Sequence, residues 1–322
     1  MAGIVDGLTE EATDYRGQSW LRQLWRFARP HTIVGTTLSL VALWTMALGL
    51  AARAGGALPL APVGATELLI TWLACTGANV YIVGLNQLTD VPLDRINKPY
   101  LPLASGAWSL RMGWTVALAS LVVSLAATGW LASEYLWWTV GLSLALGTAY
   151  SLPPTRLKRF PFWAAFCIVA VRSLIVNLLL FAHVAGWSAD LAELPTLIWL
   201  LVIVMFAFSI GIAWFKDLPD IAGDRAFAIR TLPVRLGARR VLHVGVTVLM
   251  LVLAGVILYE QWRPGRSPLV LYQALVVVGL AYAVVSLDLA DRVSIRRFYL
   301  TLWGWFFFEY LAFAAAAWLA AP

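Results

Sequence analysis

Residues 67–98 read ELLITWLACTGANVYIVGLNQLTDVPLDRINK, and both the fold and the chemistry turn on them. From 67 to 89 the run is apolar enough and long enough to cross the hydrocarbon core of a bilayer as a helix. It then ends in charge. Asn86, Asp90 and Asp94 stand at i, i+4 and i+8, which on a continuous helix spans an arc of about 80° and a rise of about 12 Å, so the three share one face. Pro92 removes a backbone donor among them and loosens the helix there. Cations follow at once in Asp94-Arg95-Ile96-Asn97-Lys98-Pro99. Ionisable groups at the edge of a membrane span are costly to hold and usually functional.

The rest of the chain repeats the first half of this pattern. Of 322 residues, 61% are hydrophobic and 12% charged, about half the charge of an ordinary soluble domain. Apolar stretches of spanning length fall at 31–52, 67–89, 110–131, 135–152, 161–185, 195–215, 241–260, 269–287 and 298–320, which predicts an all-α bundle of nine membrane-spanning helices. Residues 31–322 form one membrane-embedded domain, and residues 1–30 an N-terminal tail. In that tail Trp20, Leu21, Leu24, Trp25 and Phe27 alternate with Arg22, Arg26 and Arg29 at helical spacing, the signature of a helix lying in the headgroup layer.

Charge sets the orientation. All of the 23 Lys and Arg residues except Arg53, Arg172, Arg263 and Arg266 lie in the N-terminal tail or in alternate loops, so the positive-inside rule makes the N-terminus cytoplasmic and places the C-terminus on the other side. The net charge of +6 is spread over loops rather than gathered on a face, which argues against nucleic acid as a partner. No obligatory protein partner is evident, and membrane lipid is the expected surrounding. Cys75 and Cys167 fall inside spans and read as small apolar residues, without disulfide or metal spacing.

A second acidic end closes the sixth span: Lys216-Asp217-Leu218-Pro219-Asp220-Ile221-Ala222-Gly223-Asp224-Arg225. Laying Asp90 on Asp220 puts Asp94 on Asp224, Arg95 on Arg225 and Asn86 on Lys216, a weak parallel repeat of the kind that builds a site between halves. One cluster alone reads equally well as a solvated loop. Two clusters four spans apart face the same side, and that many carboxylates together repel unless cations fill them. Hard carboxylate oxygens select Mg²⁺ or Ca²⁺, and Mg²⁺ commonly shares its shell with phosphate. The interleaved Arg95, Lys98, Lys216 and Arg225 are then direct phosphate contacts. The asymmetry of Asn86 against Lys216 makes the first end the better metal site and the second the better phosphate site.

With these residues in hand, the chain resembles the UbiA-type intramembrane prenyltransferases. The motifs are Asn-x-x-x-Asp-x-x-x-Asp at 86–94 and Asp-x-x-x-Asp at 220–224. Within that superfamily the strings at 29–36, 79–90, 97–106, 147–151, 156–160, 216–237 and 309–311 resemble the homogentisate phytyltransferase branch. The resemblance implies that an allylic prenyl diphosphate loses diphosphate and that homogentisate is alkylated with loss of CO₂. It implies two Mg²⁺ ions, one on Asn86, Asp90 and Asp94 and the other on Asp220 and Asp224 with Asp217. It also implies that Lys158, with Tyr150 and Arg156, closes over the diphosphate, although Arg156 and Lys158 read equally as topology charges. Rival branches transfer a solanesyl chain to homogentisate or prenylate chlorophyllide or naphthoate. A transporter of an anionic solute is the rival outside enzymes, and it requires charge on both faces.

Two charges lie at mid-depth, Arg172 in the fifth span and Glu309 in the ninth. Either they neutralise each other across the bundle, or Arg172 with Asn177 receives the acceptor's carboxylate. His31 opens the first span, as a polar cap or as a further acceptor contact.

Overall fold

The computed structural model describes residues 17–219, 221, 231–263 and 268–319. Every described element is a helix or a turn. A short helix α1 (Trp20–Phe27) precedes α2 (Pro30–Ala54), α3 (Ala65–Thr89) and the short α4 (Val91–Asn97). Then come α5 (Leu110–Leu131), α6 (Glu134–Ser151), α7 (Pro161–Val184) and α8 (Thr196–Phe215). The short α9 (Leu232–Leu236), α10 (Ala238–Trp262), α11 (Leu269–Val285) and α12 (Arg292–Leu319) complete the order.

All nine predicted segments are helical, but among the described residues seven helices are long and apolar enough to cross a membrane: α2, α3, α5, α7, α8, α10 and α12. This differs from the expected nine. Helix α6 has 18 residues yet includes Glu134 and several Trp, Tyr, Thr and Ser side chains, while α11 has only 17 residues. The architecture is that of a multi-pass membrane protein.

Local chemistry marks the ends. Ser109 Oγ and Ser133 Oγ accept from the N–H groups of Met112 and Leu136 to start α5 and α6, which satisfies backbone donors that a helix leaves open. Glu67 reaches back to the Gly64 N–H at 2.6 Å to open α3. Helix α8 is apolar on all sides and forms the centre of the bundle, flanked by α7, α10 and α12; Phe208 and Phe215 meet Phe306 and Phe298 there. On the other flank α3 packs along α5. A Cβ at Gly77 would come within 2.7 Å of the Ser120 carbonyl, so this glycine lets the two backbones approach, as small residues do where no hydrophobic force separates helix from lipid.

The α1 segment is helical, as expected. Trp20, Leu21 and Trp25 are exposed, while Phe27 is fully buried beneath Trp108 and its carbonyl accepts from Gln87 Nε2 at 2.6 Å. This ties the N-terminal helix to α3 three residues before Asp90.

Helix α7 is irregular. Between Ala170 and Leu180 it widens to π-helical i→i+5 bonding, a form that is rare and often found at functional sites. Asn177 Nδ2 follows the wide turn by donating to the carbonyls of Arg172 and Ser173. At the far end of α7, His183 is wedged between Thr71 Oγ1 and Ser133 Oγ, each at 2.8 Å. Thr71 already donates to the Glu67 carbonyl, so it must accept from Nε2–H. That fixes the tautomer and pins α7 to α3 and α6.

Candidate functional site

The acidic end of α3 is not a continuous helix. The helix stops at Thr89, Asp90 adopts φ −117° and ψ 16°, and α4 starts at Val91 with Pro92 in its first turn. Pro92 offers no N–H, so one ladder bond is missing there, although the Asp94 N–H still reaches the Asp90 carbonyl at 2.8 Å. The continuous helix expected through Asn86, Asp90 and Asp94 is therefore corrected. Asn86 lines a cavity inside the bundle, whereas Asp90 and Asp94 lie at and beyond the break.

Asp90 receives two cations from the loop after α6. Lys158 Nζ is 2.7 Å from Oδ2 and Arg156 Nη2 is 3.3 Å from Oδ1. Lys158 also donates to Thr89 Oγ1 at 2.8 Å, and Arg156 to the Thr89 carbonyl. Arg156 holds φ +36° to do this, and Arg29, at the start of α2 and on the cavity wall, holds φ +52°. Such left-handed backbone is costly for a side chain with a Cβ and collects at functional sites. These contacts give Arg156 and Lys158 a partner at the acidic end, beyond a bare topology charge. Burial lowers the Lys158 pKa below the ordinary lysine value, with Asp90 working against the shift.

Asp94 is in the opposite condition. It is 5% exposed, its Oδ2 is buried without a hydrogen-bond partner, and Lys98 stands 3.9 Å from Oδ1. Burial raises its pKa above the ordinary carboxylate value, and Lys98 and Arg29 only partly offset that. An unsatisfied, buried carboxylate oxygen beside a second carboxylate fits a hard cation. Among the described residues no group of three or more metal-ligating side chains is assembled. Asp220, Asp224 and Arg225 lie outside the described residues.

The sign of the Asp94 shift gives a test. A carboxyl whose pKa rises on folding binds more protons folded than unfolded. Its contribution to stability is thus lost as pH rises from the ordinary carboxylate value, 3.8, through the raised one. Asp94→Asn removes the buried charge and is expected to stabilise the ligand-free protein by about 1–2 kcal/mol at neutral pH. Thermal unfolding in detergent measures this. It should also abolish stabilisation by Mg²⁺.

A cavity of about 330 Å³ runs inward from this end, walled by α2, α3, α6, α7 and α12. On α3 it extends from Asn86 to Cys75, and on α6 from Tyr150 to Thr139, about 16 Å along each helix. Most of the surface is apolar, including Ile82, Val140, Ile168, Val176 and Leu180. A Cβ on Gly147 would come within 2.6 Å of Ile82, so α6 approaches α3 closely beside the opening. Both cysteines line the cavity, which the sequence read only as apolar filling.

The predicted diphosphate contacts divide. Tyr150 lines the cavity and interacts with Lys216 at the end of α8. Asp217 acts electrostatically on the same lysine. Lys98 approaches Asp94, but Arg95 is exposed and is absent from the cavity wall; with α4 started afresh at Val91, it does not follow Asp94 inward.

At mid-depth the Arg172–Glu309 pair, one of the two readings of these charges, is not formed among the described residues. Glu309 Oε2 instead accepts from Gln273 Nε2 at 2.7 Å, because α11 lies beside that face of α12. Arg172 stacks its guanidinium 4.6 Å from the Trp303 ring centre and 5.8 Å from that of Phe306. Asn177 is fully buried, absent from the cavity wall, and spent on backbone carbonyls and the Tyr310 hydroxyl; its predicted contact with an acceptor is corrected. His31 does line the cavity, edge-on to Trp303. It is not the cap of α2, a place taken by Arg29. Trp303, Arg29 and Thr89 escaped the sequence reading. Arg29 entered only as a charge of the N-terminal tail and as the first residue of the 29–36 string.

Comparison with known proteins places this geometry. The UbiA prenyltransferase family matches residues 42–319. The homogentisate phytyltransferase of Synechocystis sp. is 40% identical over 306 residues, covering 93% of this chain and 96% of the relative. Homogentisate phytyltransferase 1 of Arabidopsis thaliana is 38% identical, covering 90% of this chain and 74% of the relative. A UbiA homolog from Archaeoglobus fulgidus, solved bound to GPP and Mg²⁺, superposes with a TM-score of 0.58 at 18% identity, covering 91% of this chain and 99% of that one. With a family match across most of its length and a relative 40% identical that is covered almost end to end, this chain belongs to the UbiA prenyltransferase family and is a prenyltransferase.

Proposed function

We propose that this enzyme transfers a phytyl or geranylgeranyl group from its diphosphate to homogentisate, with loss of CO₂, to give a prenylated methylquinol and diphosphate. The observation that carries the reading is the apolar cavity opening at Asn86 beside the paired carboxylates Asp90 and Asp94, in a chain 40% identical to a homogentisate phytyltransferase.

Asn86, Asp90 and Asp94, together with Asp217, Asp220 and Asp224, would hold Mg²⁺. When bound, the metal neutralises charge on the departing diphosphate. Lys158 and Arg156 hold Asp90 in the ligand-free chain and are poised to pass to phosphate oxygens, where charge-assisted bonds are strongest. Tyr150 and Lys216 close the mouth from the other side. The apolar walls of α6 and α7 exclude water from an allylic cation, and the faces of Phe306 and Tyr310 offer it π density.

The basic loops support a cytoplasmic active site and N-terminus, with the C-terminus on the opposite side. The exposed Trp20, Leu21 and Trp25 support an α1 that lies in the headgroup layer. The deciding experiment gives purified protein Mg²⁺, homogentisate and, in turn, phytyl, geranylgeranyl and solanesyl diphosphates. Prenylated quinol and CO₂ should appear together with the first two. A product only with solanesyl diphosphate moves the assignment to the longer donor, and CO₂ without prenylated quinol refutes the transfer.

A further inference from the structure

We infer that Arg172 is the anchor for the carboxylate of the aromatic acceptor, held ready by an aromatic bracket rather than by a protein acid. This rests on the function proposed above and adds what selects the acceptor.

A guanidinium at this depth is expensive unless something neutralises it. The obvious protein partner, Glu309, is engaged by Gln273. Arg172 Nη1 is buried and has no hydrogen-bond partner. The side chain is nonetheless fixed, because Trp303 and Phe306 stack on it and Tyr299 and Tyr310 flank it on the same helix. Across the cavity, Arg29 and His31 approach from α2, and both arginines act electrostatically on His31. Among the described residues, the cavity wall therefore carries Arg29, His31 and Arg172 and no Asp or Glu. A surplus of positive charge in an apolar chamber calls for an anion from outside.

Two anions are at hand in the reaction, diphosphate and the acceptor's carboxylate. The diphosphate has its own cations in Lys158 and Arg156 at the Asp90 end. Arg172 projects from another helix, and its planar fork, held flat by Trp303, matches a planar carboxylate. An arene bearing a carboxylate on a short arm, seated there, has its ring inside the apolar chamber where the prenyl group arrives. Arg172 acts here in binding alone, and the bonds made and broken are those of the parent reaction.

The test compares wild type, Arg172→Met and Arg172→Lys in detergent, with folding checked by thermal unfolding and inhibition measured with 2-hydroxyphenylacetate and its neutral methyl ester. The Met variant should raise the KM for homogentisate by about 10- to 100-fold while the donor KM stays within about twofold. Wild type should prefer the acid to the ester as inhibitor, the Met variant should not distinguish them, and the Lys variant should recover part of the preference. If the Met variant does not fold, the Lys variant carries the test, since it keeps a cation without the fork. Unchanged acid-to-ester preference in a folded Arg172 variant overturns the inference. So does a loss that falls on the donor KM and on inhibition by inorganic diphosphate, which assigns Arg172 to the leaving group. A wild-type chain that prenylates no aromatic acid overturns the proposed function itself, a result distinguishable from either.

Discussion

Asp90→Ala is expected to lower kcat by about 10³-fold or more, the scale seen when an electrostatic group acting on developing charge is removed. The loss has two parts. The alanine takes away a carboxylate from the proposed metal site, and it leaves Lys158 and Arg156 without the group they hold at 2.7 and 3.3 Å. Asp90→Asn separates them: it keeps an acceptor for Lys158 and still removes the charge, so kcat should fall nearly as far while the fold is retained. Steady-state turnover of geranylgeranyl diphosphate at saturating Mg²⁺ reads this out. Activity within tenfold of wild type in both variants sinks the proposed role of the acidic end.

Lys158→Gln should cost about 10²-fold in kcat and should also change the shape of the pH profile. Burial lowers the lysine's pKa, and the cationic form is the one that grips phosphate. Activity that depends on it is therefore full below the lowered pKa and is lost as pH rises through it, at a pH lower than an ordinary lysine would give. Lys158→Arg keeps its charge to far higher pH, so the alkaline limb should move up even if the maximal rate drops. A limb that stays in place in the arginine variant assigns the titration to another group.

The membrane helices and the acidic ends were legible because their causes are local. An apolar run of spanning length needs no knowledge of its neighbours, and Pro92 announced the weakness at the end of α3. The break itself was not legible, since a proline can bend a helix or end it, and the outcome depends on how α4 packs. Pairings between distant segments were hidden for a different reason. Lys158 lies 68 residues from Asp90, and only resemblance, not spacing, brought them together. Arg172 and Glu309 matched in charge and depth, yet depth says nothing of rotation about a helix axis. Gln273, a neutral residue on α11, took the partner that charge alone had allotted to arginine. The same blindness to rotation made Asn177 look available when its amide is committed to the backbone of its own helix.

Rotation is also what the wide turns of α7 control. Ile168, Arg172, Val176 and Leu180 recur every four residues along the cavity wall. In a regular helix of 3.6 residues per turn, the last would be turned about 120° from the first; slower π winding between Ala170 and Leu180 opposes that drift. The helix is clamped near the start of this stretch by Trp303 against Arg172 and beyond its end by Thr71 and Ser133 against His183. The segment thus behaves as a phase adjuster between two fixed stops. Losing or gaining one residue within it would force a choice between an aligned cavity and an anchored far end, so its length is constrained even where its side chains are interchangeable.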